Sequence, residues 1–272
     1  MILHSIGTIA PGQDGAIWGG FLFRFHSRGN CTVYTLADVT TPYATFRLPE
    51  GLIPHSNAVV FGSEYAQPGD EFPLLYSNIY NNYSQADDRL EGVCLVYRLV
   101  RENTTFSATL AQRITVGFAD KKGLWRSESQ EDRRPYGNFV IDRENGKYYA
   151  FTMMDQASST RVFAFDLPRL TDGERVVLQE THILDRFDVP YSHFIQGACF
   201  HDGCIYSVEG FKGGKGAENP PALRIIDTVT REQKACLYFE TCGVDTEPEL
   251  IDVYDGTIYF SDAPGRLYRL EL

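Results

Sequence analysis

Apolar and aromatic residues recur along this chain in short alternating runs, and almost nowhere at helical spacing. Such runs, bounded by Gly, Asn and Asp, predict β-strands. One four-residue pattern repeats: apolar, aromatic, variable, apolar. It reads Val33-Tyr34-Thr35-Leu36, Val96-Tyr97-Arg98-Leu99, Val162-Phe163-Ala164-Phe165 and Leu267-Tyr268-Arg269-Leu270, with a weaker copy at Leu223-Arg224-Ile225-Ile226. The central positions 34, 97, 163, 224 and 268 lie 63, 66, 61 and 44 residues apart, so five units fill the chain.

A hairpin precedes the pattern. Asn145-Gly146, Asp202-Gly203 and Asp255-Gly256 each separate two strand-like runs, and such dipeptides accept the positive φ that a two-residue hairpin turn demands. Each unit therefore reads as strands A, B and C, with A at residues 16–18, 58–61, 138–141, 197–200 and 250–253. A fourth strand, D, follows in four units, at residues 43–48, 106–116, 176–184 and 233–239. The fifth unit stops at Leu272 without one, while residues 2–9 form a strand lacking any other partner. Four-stranded antiparallel units repeated radially make a β-propeller, and a borrowed terminal strand would hide its open sheet edges. The expectation is an all-β, five-bladed β-propeller formed by residues 1–272 as a single domain, its N-terminal strand completing the last blade. A β-sandwich and an α/β fold compete, but only residues 168–173 and 184–187 have room for a helical turn. The repeated rings are read as filling between blades and not as a binding ladder.

In such a blade the D-to-A and B-to-C links emerge at one end of the ring. Here they are the long polar ones: residues 78–92 with Tyr80 and Tyr83, residues 209–220, and residues 117–135 with Trp125. Long loops gathered on one face suggest a binding rim. Residues entering the A strands would line the channel at that face: Asp14, His55, Ser56, Asn57, Tyr136, Asn138, His193, Gln196, Glu247 and Glu249. Polar groups converging on a concavity are the default ligand site, although a wet channel would be lined the same way.

Composition narrows the chemistry. A formal charge of −11 argues against a nucleic-acid partner, because phosphate binding needs a basic footprint. No run approaches the roughly 18 apolar residues of a membrane span. With 18 Phe and 16 Tyr the chain leans to β-structure. Its six cysteines show no CxxC spacing and read as reduced, mostly buried thiols. Met1-Ile-Leu-His-Ser lacks a basic n-region, so the expectation is a cytoplasmic protein, or an extracellular one whose leader was trimmed. No cofactor is implied. The predicted inner ring is rich in amides and poor in carboxylates, which suits recognition of neutral polar ligands. Catalysis would need converging carboxylates, for which Asp14 with Glu247 or Glu249 is the candidate set of a glycoside-type hydrolase. Asp245 and Glu247, with Glu249 and Asp252 nearby in sequence, are a weak calcium alternative without EF-hand spacing. Residues 210–216 are glycine-rich but lack the phosphate-loop signature.

Residues 196–206 (Gln196-Gly197-Ala198-Cys199-Phe200-His201-Asp202-Gly203-Cys204-Ile205-Tyr206) and 247–253 (Glu247-Pro248-Glu249-Leu250-Ile251-Asp252-Val253) resemble motifs of propellers similar to teichoic-acid biosynthesis protein C, with relatives among phage receptor-binding propellers. The resemblance covers residues near 193–272 and departs at Leu250, where the family pattern often has Gly. It implies a bacterial context and carbohydrate binding, at cell-surface glycans or glycopolymers, with Gln196 and Glu249 as the matched positions. The sequence reading is thus a non-catalytic binder of a small polar or glycan-like ligand at the long-loop mouth. His55, Asn57, Asn138, His193, Gln196 and Glu249 supply hydrogen bonds, and Trp125, Tyr80 and Tyr83 supply stacking surfaces. A hydrolase and a protein-interaction scaffold using the same rim are the alternatives.

Overall fold

The computed structural model describes residues 1–49, 54–79, 92–118, 138–151, 159–190, 192, 195–211 and 219–272, the side chain of Phe211 excepted. Strand β1 (Ile2–Thr8) opens the chain. Blade one is β2 (Gly15–Trp18), β3 (Phe21–Phe25), β4 (Asn30–Thr35) and β5 (Ala44–Arg47). Blade two is β6 (Val59–Phe61), β7 (Leu75–Asn78), β8 (Gly92–Glu102) and β9 (Thr105–Val116). Blade three is β10 (Phe139–Asp142), β11 (Lys147–Phe151) and β12 (Ser159–Asp166), followed by β13 (Arg175–Leu178) and β14 (Asp185–Pro190). Blade four is β15 (Ile195–His201), β16 (Cys204–Phe211), β17 (Asn219–Asp227) and β18 (Glu232–Tyr238), and blade five is β19 (Pro248–Tyr254), β20 (Thr257–Asp262) and β21 (Arg266–Glu271).

Blade five takes its outer strand from the other end of the chain. Strand β1 lies antiparallel on β21, with Leu3 opposite Leu270 and Ser5 opposite Tyr268. The ring of five antiparallel blades is therefore closed by backbone hydrogen bonds between the two ends of the polypeptide, and the edge of β21 is covered.

Five apolar clusters account for the packing, and each fills one gap between neighbouring blades. Strand alternation makes this possible, because successive side chains point to opposite faces. On blade two, Val59 and Phe61 pack toward blade one while Ala58 and Val60 pack toward blade three. The repeated aromatic position always faces the preceding blade. Tyr34 meets Leu250 and Leu267 of blade five, Tyr97 joins Phe23 and Phe25 of blade one, Phe163 joins the blade-two side chains, and Tyr268 lies against the blade-four cluster. These rings do fill spaces between blades. Blade four breaks the pattern with Arg224, whose charge is buried against Glu209 at 2.5 Å and whose Nη1 donates to Gln233.

One strand assignment is corrected. Residues 176–184 do not form the fourth strand of blade three. That strand is β14, where Arg161 pairs with Asp188 and where Phe187 and Val189 alternate into the gap with blade four. The apolar run at Val176-Val177 belongs instead to β13, which crosses over and adds in parallel to the outer edge of blade two, Val176 opposite Ile114. A turn at Glu180–His182 breaks the segment that the apolar run suggested was continuous, whereas the turn at Leu170–Asp172 falls within residues 168–173, where a helical turn has room.

Candidate functional site at the axial mouth

Strands β2, β6, β10, β15 and β19 are innermost, and the residues entering them gather at one end of the axis. There a circuit of polar contacts links each blade to the next. The Val59 amide donates to Asp14 Oδ2 at 2.8 Å, joining blades one and two. Asn78 Nδ2 donates to Asn57 Oδ1 at 2.6 Å within blade two and to Asn138 Oδ1 at 2.9 Å on blade three. Asn138 Nδ2 in turn donates to the Ile195 carbonyl of blade four at 3.0 Å. Gln196 Nε2 donates to Glu247 Oε1 at 2.5 Å, joining blades four and five. Gln13 Nε2 donates to Glu249 Oε1 at 3.4 Å, and Arg24 Nη2 donates to the Asp262 carbonyl at 2.9 Å, which returns the circuit to blade one.

The circuit has a dry floor and a wetter upper layer. Asp14, Arg24, Asn57, Asn138 and Glu249 are all buried. Asp14 sits against Gly197 of blade four so closely that a Cβ there would lie 2.7 Å from its Oδ1. Burial pushes both the Asp14 and the Glu249 carboxyls well up, and the nearby Glu247 charge adds to the rise at Glu249. Burial pulls the Arg24 guanidinium down to about 10, against the attraction of Glu249, Asp14 and Asp262. Hydrogen-bonding capacity is left over: Asp14 Oδ1, Glu249 Oε2, Arg24 Nε and Nη1 and Asn57 Nδ2 have no partner among the described residues. Such orphaned groups are rare in folded proteins and cost on the order of 1–3 kcal/mol each.

Above the floor, Gln13, His26, His55, Gln196 and Glu247 are half-exposed. Burial lowers both histidines, aided at His26 by the Arg24 charge, so both rings are neutral at neutral pH. Burial raises the Glu247 carboxyl, partly offset by its bond from Gln196.

At the far end of the axis, Arg143 of blade three reaches Asp252 of blade five at 3.4 Å and lies over the Trp18 ring of blade one, 5.6 Å from its centroid. Asp252 also accepts the Ile17 amide at 2.7 Å. Three blades thus meet across the axis there. A groove of about 540 Å³ lies on this far face between blades two and three, lined by Ser63, Glu64, Asn145, Asp166 and Arg169. Its acids are engaged locally: Glu64 accepts the Leu170 amide and Asp166 pairs with Lys147.

Of the residues expected at the site, Asp14, Asn57, Asn138, Gln196, Glu247 and Glu249 come together in the circuit. The Asn138 amide is spent on joining blades, while the Asn57 oxygen accepts from Asn78 within blade two and its Nδ2 is left without a partner among the described residues. His55 stands in the half-exposed layer, and Asp245 is exposed. Tyr80, Tyr83, Trp125 and His193 lie outside the described residues, as does Tyr136. Among the described residues no group of three metal-ligating side chains is placed to hold an ion. Arg24, Gln13, Asn78 and Asp262 were not anticipated. Arg24 carried a signal: a lone cation inside the aromatic strand Phe21–Phe25.

No protein-family model matches this chain. No curated protein matches it either. Among solved structures it is similar to "Kuenenia stuttgartiensis Hydrazine Synthase", at 10% identity and TM-score 0.43 over 92% of this chain and 61% of that one. It is also similar to "Structure of Dos1 propeller", at 11% identity and TM-score 0.38 over 95% and 59% respectively. A third similar structure is "Crystal structure of Nidogen/Laminin Complex", at 9% identity and TM-score 0.39 over 93% and 65%. The chain spans about three fifths of the length of these proteins, and likenesses so distant carry no argument about ligand or activity.

Proposed function

We propose that this propeller is a non-catalytic binding protein that seats a small polar or glycan-like ligand at the axial mouth. The observation that carries the reading is the half-exposed polar layer of Gln13, His55, Gln196 and Glu247 over the buried Asp14, Arg24 and Glu249. A propeller ring needs only packing at its axis, yet this one keeps ionisable groups there at a cost in stability, a mark of functional sites. The layer mixes acceptors and donors: two amides, a neutral imidazole and one carboxyl. Hydroxyl groups, which donate and accept at once, suit such a lining. Acid–base hydrolysis suits it less, because Asp14 and Glu249 are closed off from solvent and Glu247 alone of the three carboxyls is accessible.

A glycan array probed with the full chain tests this, with Gln196→Ala as the control. Gln196→Ala also removes the bond to Glu247 that joins blades four and five, so a melting temperature lower by a few degrees is expected, while binding measured well below that temperature should fall by about tenfold, the value of roughly one hydrogen bond. An array without signal, or signal untouched by the substitution, would remove the mouth as the binding site.

A further inference from the structure

One accessible carboxyl at the axial mouth, Glu247, has no cationic partner among the described residues. Asp14 and Glu249 lie buried beneath it beside the Arg24 guanidinium, and burial holds both carboxyls toward the protonated form. The other ionisable groups packed around them are already matched or uncharged. Asp262 is held by Arg266 at 2.6 Å, and Asp252 by Arg143 at 3.4 Å. The Tyr34 hydroxyl accepts the Ala10 amide, and His26 and His55 are neutral at neutral pH. The unmatched carboxyl stands at the surface of the cluster. Glu247 is half-exposed, and its partner among the described residues is the uncharged amide of Gln196. Beneath it, Glu249 Oε2 is buried without a hydrogen bond from any of the described residues. A metal ion is a poor counterpart, since no set of three ligating side chains is placed to hold one among the described residues. An organic cation needs less: one carboxylate for its ammonium group and amides for its hydroxyls.

We infer that the mouth selects a cationic amino sugar, its ammonium group on Glu247 and its hydroxyls on Gln13 and Gln196. The inference rests on the binding reading above and narrows it from polar glycans to those with a free amine. Electrostatic complementarity here acts on specificity, because the same sugar with its amine acetylated loses the charge and keeps the hydroxyls.

The test is calorimetric titration of the full chain with a chitosan tetramer and with a chitin tetramer at about pH 6.5, where the glucosamine amine is protonated. The chitosan tetramer should bind about tenfold or more tightly, and Glu247→Gln should bring the two affinities together. A chain of net charge −11 attracts any polycation weakly, but that attraction would survive the loss of one charge among many, so a preference that persists in the Glu247→Gln protein overturns the inference. Equal affinity of the two tetramers overturns it too and leaves the binding function standing. If neither tetramer binds, the inference fails, and the glycan array decides separately whether the broader reading fails with it. Unchanged melting of the Glu247→Gln protein confirms that the comparison is made on folded protein.

Discussion

Replacing Gly197 by Ala should be among the most damaging single-methyl changes in this protein. Gly197 lies on β15, where blades four, five and one meet at the axis. An added Cβ would stand 2.3 Å from the Glu249 carbonyl oxygen and 2.7 Å from Asp14 Oδ1. Neither neighbour can yield easily. The first is backbone of β19, packed between two blades, and the second is a buried carboxyl held by the Val59 amide at 2.8 Å. Overpacking of a tight interior costs about 1–3 kcal/mol, and contact with backbone places this case near the upper figure. For a chain of this size each kcal/mol moves the melting temperature by about 2–4 °C, so a fall of about 6–12 °C is expected by calorimetry or circular dichroism. Gly69→Ala is the comparison. Nothing lies within 4 Å of its Cβ position, but its φ of 89° penalises a side chain, a conformational cost of about 1–2 kcal/mol. If Gly197→Ala proved no more harmful than Gly69→Ala, the close convergence of three blades on the axis would be refuted.

Removing residues 1–8 should expose the edge of β21 and the cluster side chains under Leu3, giving loss of cooperative melting or aggregation; a truncated protein melting as before would show that ring closure adds nothing. The pH dependence has a definite sign. Asp14, Glu249 and Asp252 titrate higher when folded than when unfolded, so the native state holds extra protons and stability declines as pH rises from about 4 through their raised values. His26 and His55 act oppositely below about 6.5, being pushed down on folding, so the informative measurement is the melting temperature of Glu249→Gln against wild type, whose difference should shift in the variant's favour as pH increases. Glu209→Gln strands the buried Arg224 charge and should cost about 3 kcal/mol, whereas Arg224→Tyr with Glu209→Leu should recover most of it, as buried pairs replaced by apolar groups often do; equal losses in both proteins would argue against a buried ion pair. Native thiol titration should find Cys236 and Cys242 reacting promptly, with Cys31, Cys94, Cys199 and Cys204 reacting only on denaturation.

The amino-acid order by itself determined the five repeats, most of the strands, the closure by residues 2–9 and the role of the aromatic positions. Each of these rests on local information: period-two alternation, turn dipeptides and a repeat that counts the blades. It also placed Asp14, Asn57, Asn138, Gln196, Glu247 and Glu249 at the same end of the axis, because topology alone puts the start of every inner strand there. What only the tertiary structure decided is which of those groups face inward, which are spent on joining blades, and what they meet. Arg24 joins the cluster because β3 turns that side chain toward the axis, and Asn78 because its strand ends beside Asn57. No spacing along the chain encodes either encounter. The parallel addition of β13 to blade two was hidden for the same reason: Val176-Val177 reads as a strand, but a strand's partner is chosen by the open edge it can reach, and that edge belongs to the neighbouring blade.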